Sequence, residues 1–179
     1  MKTVWIVDAA YLYNFGKSRP SGFDYLKLKN ELTRANGGPI DESYYLNSTS
    51  DPTAEAQNAF HTWLKSAPPK GPQMRVQLYR LKEMHLKCPA CGTPFDRQVQ
   101  KGVDVALATL MIRLAVQGAC DRLILSAGDG DLEDAIRYLK SDLRRQVWLN
   151  GAQATLSADL QCYADRVLWL DDMAAAIDK

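Results

Sequence analysis

Short apolar runs recur along this chain, and stretches with helical spacing separate most of them. That alternation constrains the fold more than any other feature. Thr3-Val4-Trp5-Ile6-Val7 is the first run, and it ends at Asp8. Apolar side chains at consecutive positions mark a strand covered on both faces. Further strands are expected at Glu42 to Leu46, Met74 to Leu81, Arg122 to Ser126, Gln146 to Leu149 and Arg166 to Trp169. A loop through Gly16, Pro20 and Gly22 is expected after the first strand. Phe23 to Arg34 has helical spacing, with Tyr25, Leu28 and Leu32 on one face, and Asn36-Gly37-Gly38-Pro39 stops it. Asp51-Pro52 suits the opening of a helix that reaches about Ser66, with Ala56, Phe60, Trp63 and Leu64 inward. Val103 to Gln117 is apolar almost all round, which predicts a buried central helix ended by Gly118. Helices are also expected at Leu132 to Lys140, Thr155 to Ala164 and Asp171 to Lys179.

This order predicts an α/β fold, a mostly parallel sheet with helices on both faces. Ligands in such sheets bind at the carboxyl ends of the strands, where the strand order reverses. The chain has 179 residues, which suits one domain over 1–179, with a small cysteine-containing excursion at about 83–97. No run approaches ~18 consecutive apolar residues, so no membrane span is expected. The start lacks the basic-then-apolar pattern of a signal peptide, and a cytoplasmic location is the default expectation.

Lys plus Arg number 22 and Asp plus Glu 21, a net charge of +1, so bulk charge does not announce a nucleic-acid binder. Any such partner must meet a local basic surface. Lys27/Lys29, Arg80/Lys82/Lys87 and Arg144/Arg145 are clusters, each of which reads equally as a solvated face.

Four aspartates carry the candidate chemistry. Asp8 ends the first strand, and Asp129 follows the strand Arg122 to Ser126, so both fall at the carboxyl edge of the sheet. Asp131 is two residues further on. Asp104 occupies the first turn of the buried helix, directly after Lys101-Gly102. Singly, each can be a turn, cap or helix-dipole residue. Crowded together, unpaired carboxylates repel and hold their protons, and a divalent cation is the usual remedy. Hard oxygen ligands of this kind suit Mg²⁺ or Mn²⁺. The Asp129-Gly130-Asp131 stretch fails as a calcium loop, because Asp134 and Lys140 stand where glycine and glutamate belong. No phosphate-cradling glycine loop occurs, and nothing pairs His61 or His85 with a nucleophile.

Two segments carry a resemblance. Lys101-Gly102-Val103-Asp104-Val105-Ala106-Leu107-Ala108, followed by Leu125-Ser126-Ala127-Gly128-Asp129-Gly130-Asp131-Leu132, resembles the NYN-domain family of PIN-like proteins, in its bacterial LabA-like branch. Val7-Asp8-Ala9-Ala10-Tyr11-Leu12 is similar to that family's first motif, and Ser157 to Asp165 to its closing helix. The resemblance implies a sheet of about five parallel strands with metal-binding acids at Asp8, Asp104, Asp129 and Asp131. It implies RNA, single-stranded or structured, as substrate. Tyr11, Asn14, Lys101 and Ser126 are then the candidate substrate contacts. Many members carry asparagine three residues after the first aspartate, where this chain has Tyr11, with Asn14 three residues later. Tyr11 could stack on a base or simply pack in the core.

Cys88-Pro89-Ala90-Cys91-Gly92 has the shape of half a zinc site. His85 is a candidate third ligand, and Asp96, a water or a residue from the other half of a homodimer a fourth. Zn²⁺ there would be structural, and Arg80, Lys82, Lys87 and Arg97 would extend a nucleic-acid surface. Cys120 and Cys162 sit in apolar contexts and read as small core residues.

The leading expectation is a Mg²⁺- or Mn²⁺-dependent endoribonuclease. The competing one is a non-catalytic RNA-binding or protein-binding module on the same fold, which would bind RNA with strong salt dependence and no metal-stimulated cleavage. A phosphatase with an Asp8 nucleophile would want a second aspartate at the position of Ala10.

Overall fold

The structure is a computed structural model. It describes residues 1–20, 22–49, 55–80, 82–99 and 102–179, with the backbone alone at 82, 83 and 97–99. Six strands, β1 (Thr3–Asp8), β2 (Glu42–Thr49), β3 (Arg75–Arg80), β6 (Arg122–Ser126), β7 (Gln146–Gly151) and β8 (Arg166–Trp169), form one sheet. β4 (Lys82–Lys87) and β5 (Pro94–Val99) form a separate antiparallel hairpin, the excursion expected from the cysteine segment.

The order across the large sheet is β3-β2-β1-β6-β7-β8, and every neighbouring pair is parallel. The chain builds outward from β1 to one edge, returns, and builds from β6 to the other. The order therefore reverses between β1 and β6, which opens a crevice at their carboxyl ends. The sheet has one strand more than the resemblance implied.

Alternate residues of the central strands feed two cores. Val4, Ile6, Leu123 and Leu125 pack with α4 (Val103–Val116), α5 (Glu133–Arg137) and α6 (Ala158–Gln161). Trp5, Val7 and Ile124 pack on the other face with α1 (Ala9–Lys17), α2 (Tyr25–Asn36), α3 (Glu55–Lys65) and α7 (Leu170–Ile177). β1 is buried at all six positions, as its apolar run required.

Local differences from expectation have identifiable causes. The segment expected to loop through Gly16 is the helix α1, because Asp8 caps it and only Gly16 interrupts an otherwise helix-compatible stretch. α4 buries Val103, Leu107, Leu110, Met111, Leu114 and Ala115 but exposes Val105 and Val116, so it is one-sided rather than central. In α3 the fully inward residues are His61 and Leu64, while Ala56 is exposed. The Asp51-Pro52 start of that helix lies outside the described residues. The helix expected at 132–140 is a 3₁₀ turn (Gly130–Leu132), then α5, then a π turn (Tyr138–Asp142). Among the described residues no helix is long and apolar enough to cross a membrane.

Candidate active site

The crevice between β1 and β6 collects acids by repeating one local device. A strand ends, and its terminal aspartate caps the next helical turn. The Asp8 carboxylate oxygen Oδ1 accepts from the Ala10 N–H at 2.9 Å and the Tyr11 N–H at 3.4 Å, starting α1. Asp129 follows β6, and its Oδ1 accepts from the Asp131 N–H at 3.0 Å, starting the 3₁₀ turn that contains Asp131. In each case one carboxylate oxygen is fixed by backbone donors, and the other has no hydrogen bond among the described residues. Asp104 arrives from the far side. It is the second residue of α4, whose N-cap Gly102 adopts φ 91° and offers no side-chain cap, so a carboxylate in this first turn is favoured by the free backbone donors.

The charges of these groups are felt mutually. Burial pushes the Asp8 carboxyl above its usual value; the two backbone N–H groups oppose this, and the charges of Asp104 and Asp129 add to it. Asp104 is also raised, first by burial, then by Asp129, with Asp131 contributing. Asp8 is 9% exposed, whereas Asp104, Asp129 and Asp131 open to solvent. Among the described residues none of the four joins an ion pair. The structure thus brings the four acids into one electrostatic neighbourhood. It does not draw any three metal-ligating side chains, among the described residues, into a finished coordination group. Closing on a cation would require rotamer changes, which the exposed Asp104, Asp129 and Asp131 can make. Uncompensated oxygen donors beside a strand-order reversal fit a hard divalent ion such as Mg²⁺ or Mn²⁺.

The model of the NYN domain matches residues 2–171. The chain belongs to the NYN domain family. That family is part of the PIN-like superfamily, and its domains are generally nucleases. No curated protein matches the sequence. Among solved structures, it is similar to the crystal structure of a protein of unknown function from Vibrio parahaemolyticus. The TM-score is 0.73 and the identity 21%, covering 99% of this chain and 96% of that one. At that identity the likeness speaks for the fold alone.

Within this NYN domain the other expected site residues have varied fates. Tyr11 packs rather than offering its ring for stacking. Its hydroxyl accepts from the Ala152 N–H at 2.9 Å and from the Thr155 hydroxyl at 3.0 Å. Its ring lies so close to Gly128 that a Cβ there would come within 2.3 Å of Tyr11 Cε2. The Thr155 carbonyl would lie 2.6 Å from the same Cβ, so the glycine before Asp129 is demanded by Tyr11 and Thr155 together, and the tyrosine braces the loop that carries the acid. Ser126 is fully buried and contacts no substrate-accessible space. It accepts from Trp5 Nε1 at 2.9 Å and donates to Asn150 Oδ1 at 2.8 Å, while Asn150 donates to the Leu168 carbonyl at 2.9 Å. That chain ties β1, β6, β7 and β8 together beneath the acids. Asn14 is exposed on α1 on the Tyr11 side of the helix. Lys101 lies outside the described residues.

The expected zinc site does not assemble. His85 on β4 pairs across the hairpin with Asp96 on β5, Nδ1 to Oδ1 at 2.5 Å, in register with it rather than turned to the tip. Cys91 Sγ lies 3.2 Å from the Thr93 hydroxyl, and hydrogen bonds donated by the Thr93 side chain and backbone to the sulfur lower its thiol pKa. Cys88, Cys91, Cys120 and Cys162 are all free thiols, and Cys162 is exposed rather than in the core. Among the described residues His85, Cys88 and Cys91 do not form a ligand group.

One feature escaped the sequence reading. A cleft of about 920 Å³ opens beside Asp8, walled by α1, β2 and α3. On α1 it is lined by Ala9, Ala10, Tyr13, Gly16 and Lys17. Their spacing of four, three and one is the helical stripe that would have revealed both α1 and its cleft-facing side.

Proposed function

We propose that this NYN domain is a divalent-metal-dependent endoribonuclease that hydrolyses RNA phosphodiester bonds. The observation that carries it is the set of electrostatically coupled, uncompensated carboxylates at the strand-order reversal. A merely structural arrangement gains nothing from burial and neighbouring carboxylates raising the pKa of Asp8 and Asp104, and such perturbed groups in a crevice mark functional sites. Asp8, Asp104 and Asp129, with Asp131 beside them, would hold Mg²⁺ or Mn²⁺. When bound, such an ion supplies Lewis acidity to a phosphate and lowers the pKa of water.

The chain's own residues supply orientation. The backbone N–H groups of Ala10 and Tyr11 hold one oxygen of Asp8 and leave the other without a hydrogen bond among the described residues. The Asp131 N–H does the same for Asp129. The Trp5–Ser126–Asn150 chain and the Tyr11 brace stiffen the strand ends beneath them, limiting the misplacement that costs rate.

The test is direct. Labelled RNA and DNA, single- and double-stranded, are incubated with the protein in Mn²⁺, Mg²⁺ or EDTA, alongside Asp104→Asn and Asp129→Asn. RNA cleavage should depend on the metal and vanish in both variants while their circular dichroism matches wild type. Cleavage at wild-type rate in both variants, or cleavage undiminished by EDTA, would sink the assignment.

A further inference from the structure

We infer that the cleft between α1 and α3 is a nucleobase subsite, which seats a base of single-stranded RNA next to the phosphate held at Asp8. This rests on the ribonuclease reading for its substrate class.

Four observations converge on it. First, the cleft begins one residue from Asp8, although none of the four acids lines it. Ala9 and Ala10, the two residues after Asp8, line it, and the Asp8 charge is felt by Tyr25 and Tyr45 in its walls. Second, its walls are π-faces. Phe60 and Trp63 stack at 5.8 Å with planes 27° apart, and Tyr13 on the opposite side is 60% exposed. Every base has a π-face, so such walls grip a base without choosing its sequence. Third, the cleft carries unspent polar capacity. His61 is 3% exposed, and neither ring nitrogen has a hydrogen-bond partner among the described residues. The Ser48 hydroxyl is likewise buried and unpartnered. Burial and nearby Lys65 both lower the His61 pKa, so the ring is neutral and offers one donor and one acceptor. Two orphaned nitrogens are costly unless something uses them, and the mixed donor–acceptor edge of a base does. Fourth, Lys17 and Lys179 line the same cleft, placing positive charge where a phosphodiester backbone must pass. The volume is in the range of about 300–1,000 Å³ typical of ligand sites.

Histidine 61 also reads as an ordinary core histidine, and the experiment separates the two. Binding of a fluorescent single-stranded oligoribonucleotide is measured by anisotropy in EDTA, so that no cleavage is required. The same strand with one abasic residue, and its duplex, serve as comparisons. His61→Leu and Trp63→Ala should each weaken single-strand binding about tenfold, the scale of one lost base contact. The loss should shrink for the abasic strand. Unchanged affinity in folded His61→Leu, or equal binding of duplex and single strand by wild type, would overturn the subsite. Should Trp63→Ala fail to fold, wild-type protein cross-linked to a 4-thiouridine oligonucleotide decides. Cross-links should map to Ala9–Lys17 or Glu55–Lys65, and cross-links confined to the β4–β5 hairpin would refute it. The two readings fail separately. Base-dependent binding without metal-stimulated cleavage would sink the nuclease and support the cleft. Cleavage with KM unchanged in His61→Leu would support the nuclease and sink the cleft.

Discussion

Replacing Tyr11 with phenylalanine removes the one oxygen atom that joins α1 to the loop after β7. That oxygen accepts from the Ala152 N–H at 2.9 Å and from the Thr155 hydroxyl at 3.0 Å. The two losses are unequal. Thr155 is exposed, so its hydroxyl turns to water at little cost. Ala152 is 7% exposed, so its N–H is left without a partner, which costs about 1–3 kcal/mol. For a chain of this size that is a melting-temperature drop of about 2–12 °C. Urea unfolding should show it as a lower midpoint at constant slope, since the surface exposed on unfolding is unchanged. A bracing Tyr11 meets no base, so RNA affinity of the folded variant should equal that of wild type. Tyr11→Leu removes the ring as well and vacates the space over Gly128. It should be less stable still, yet it should bind RNA normally at temperatures where it is folded. If both variants matched wild type in stability while Tyr11→Leu lost RNA affinity, Tyr11 would be a stacking residue and the brace would not exist.

Two further outcomes follow from the same geometry. Ser126→Ala leaves the fully buried Trp5 Nε1 and Asn150 Oδ1 without partners and should cost about 2–4 kcal/mol by chemical denaturation; a substrate contact would instead appear as a raised KM with stability intact. Asp104→Asn should be at least as stable as wild type in EDTA near neutral pH. Its folded carboxyl binds a proton more tightly than the unfolded chain's, so the ionised form costs stability above that raised pKa. The advantage should shrink as pH falls through the raised value toward the unfolded pKa of about 3.9. Melting curves across that range check it, and a variant less stable than wild type at neutral pH would contradict the mutual repulsion of the acids.

Which features were legible in the sequence depends on how locally their cause is written. The strand at Thr3 to Val7 needed only four consecutive apolar residues, Val4 to Val7, because a strand covered on both faces shows no alternation. Asp8 and Asp129 were legible for a related reason: each ends or follows such a strand, and the parallel order then places both at one edge. Their meeting with Asp104 depends on α4 crossing the sheet near β1 and β2, which no local pattern records; the resemblance supplied it. Ser126 shows the converse. It sits one residue from the Ala127-Gly128-Asp129 loop and looks like site chemistry, yet strand alternation turns its side chain to Trp5 and Asn150, and the one-residue difference decides between interior and crevice. Tyr11 and Gly128 are 117 positions apart, and the need for glycine at one is set by the ring at the other together with the Thr155 carbonyl, so no residue alone discloses the constraint. The cleft was invisible for a similar reason. Phe60 and Trp63 on α3 read as inward, and no local pattern singles out Tyr13 on α1, Tyr45 on β2 or His61 on α3. Only the tertiary arrangement leaves an open space among them, with an imidazole whose nitrogens have no partner among the described residues. In this fold the acids are written at strand ends, where position along the chain fixes position in space. Recognition surfaces are written across helices, where it does not.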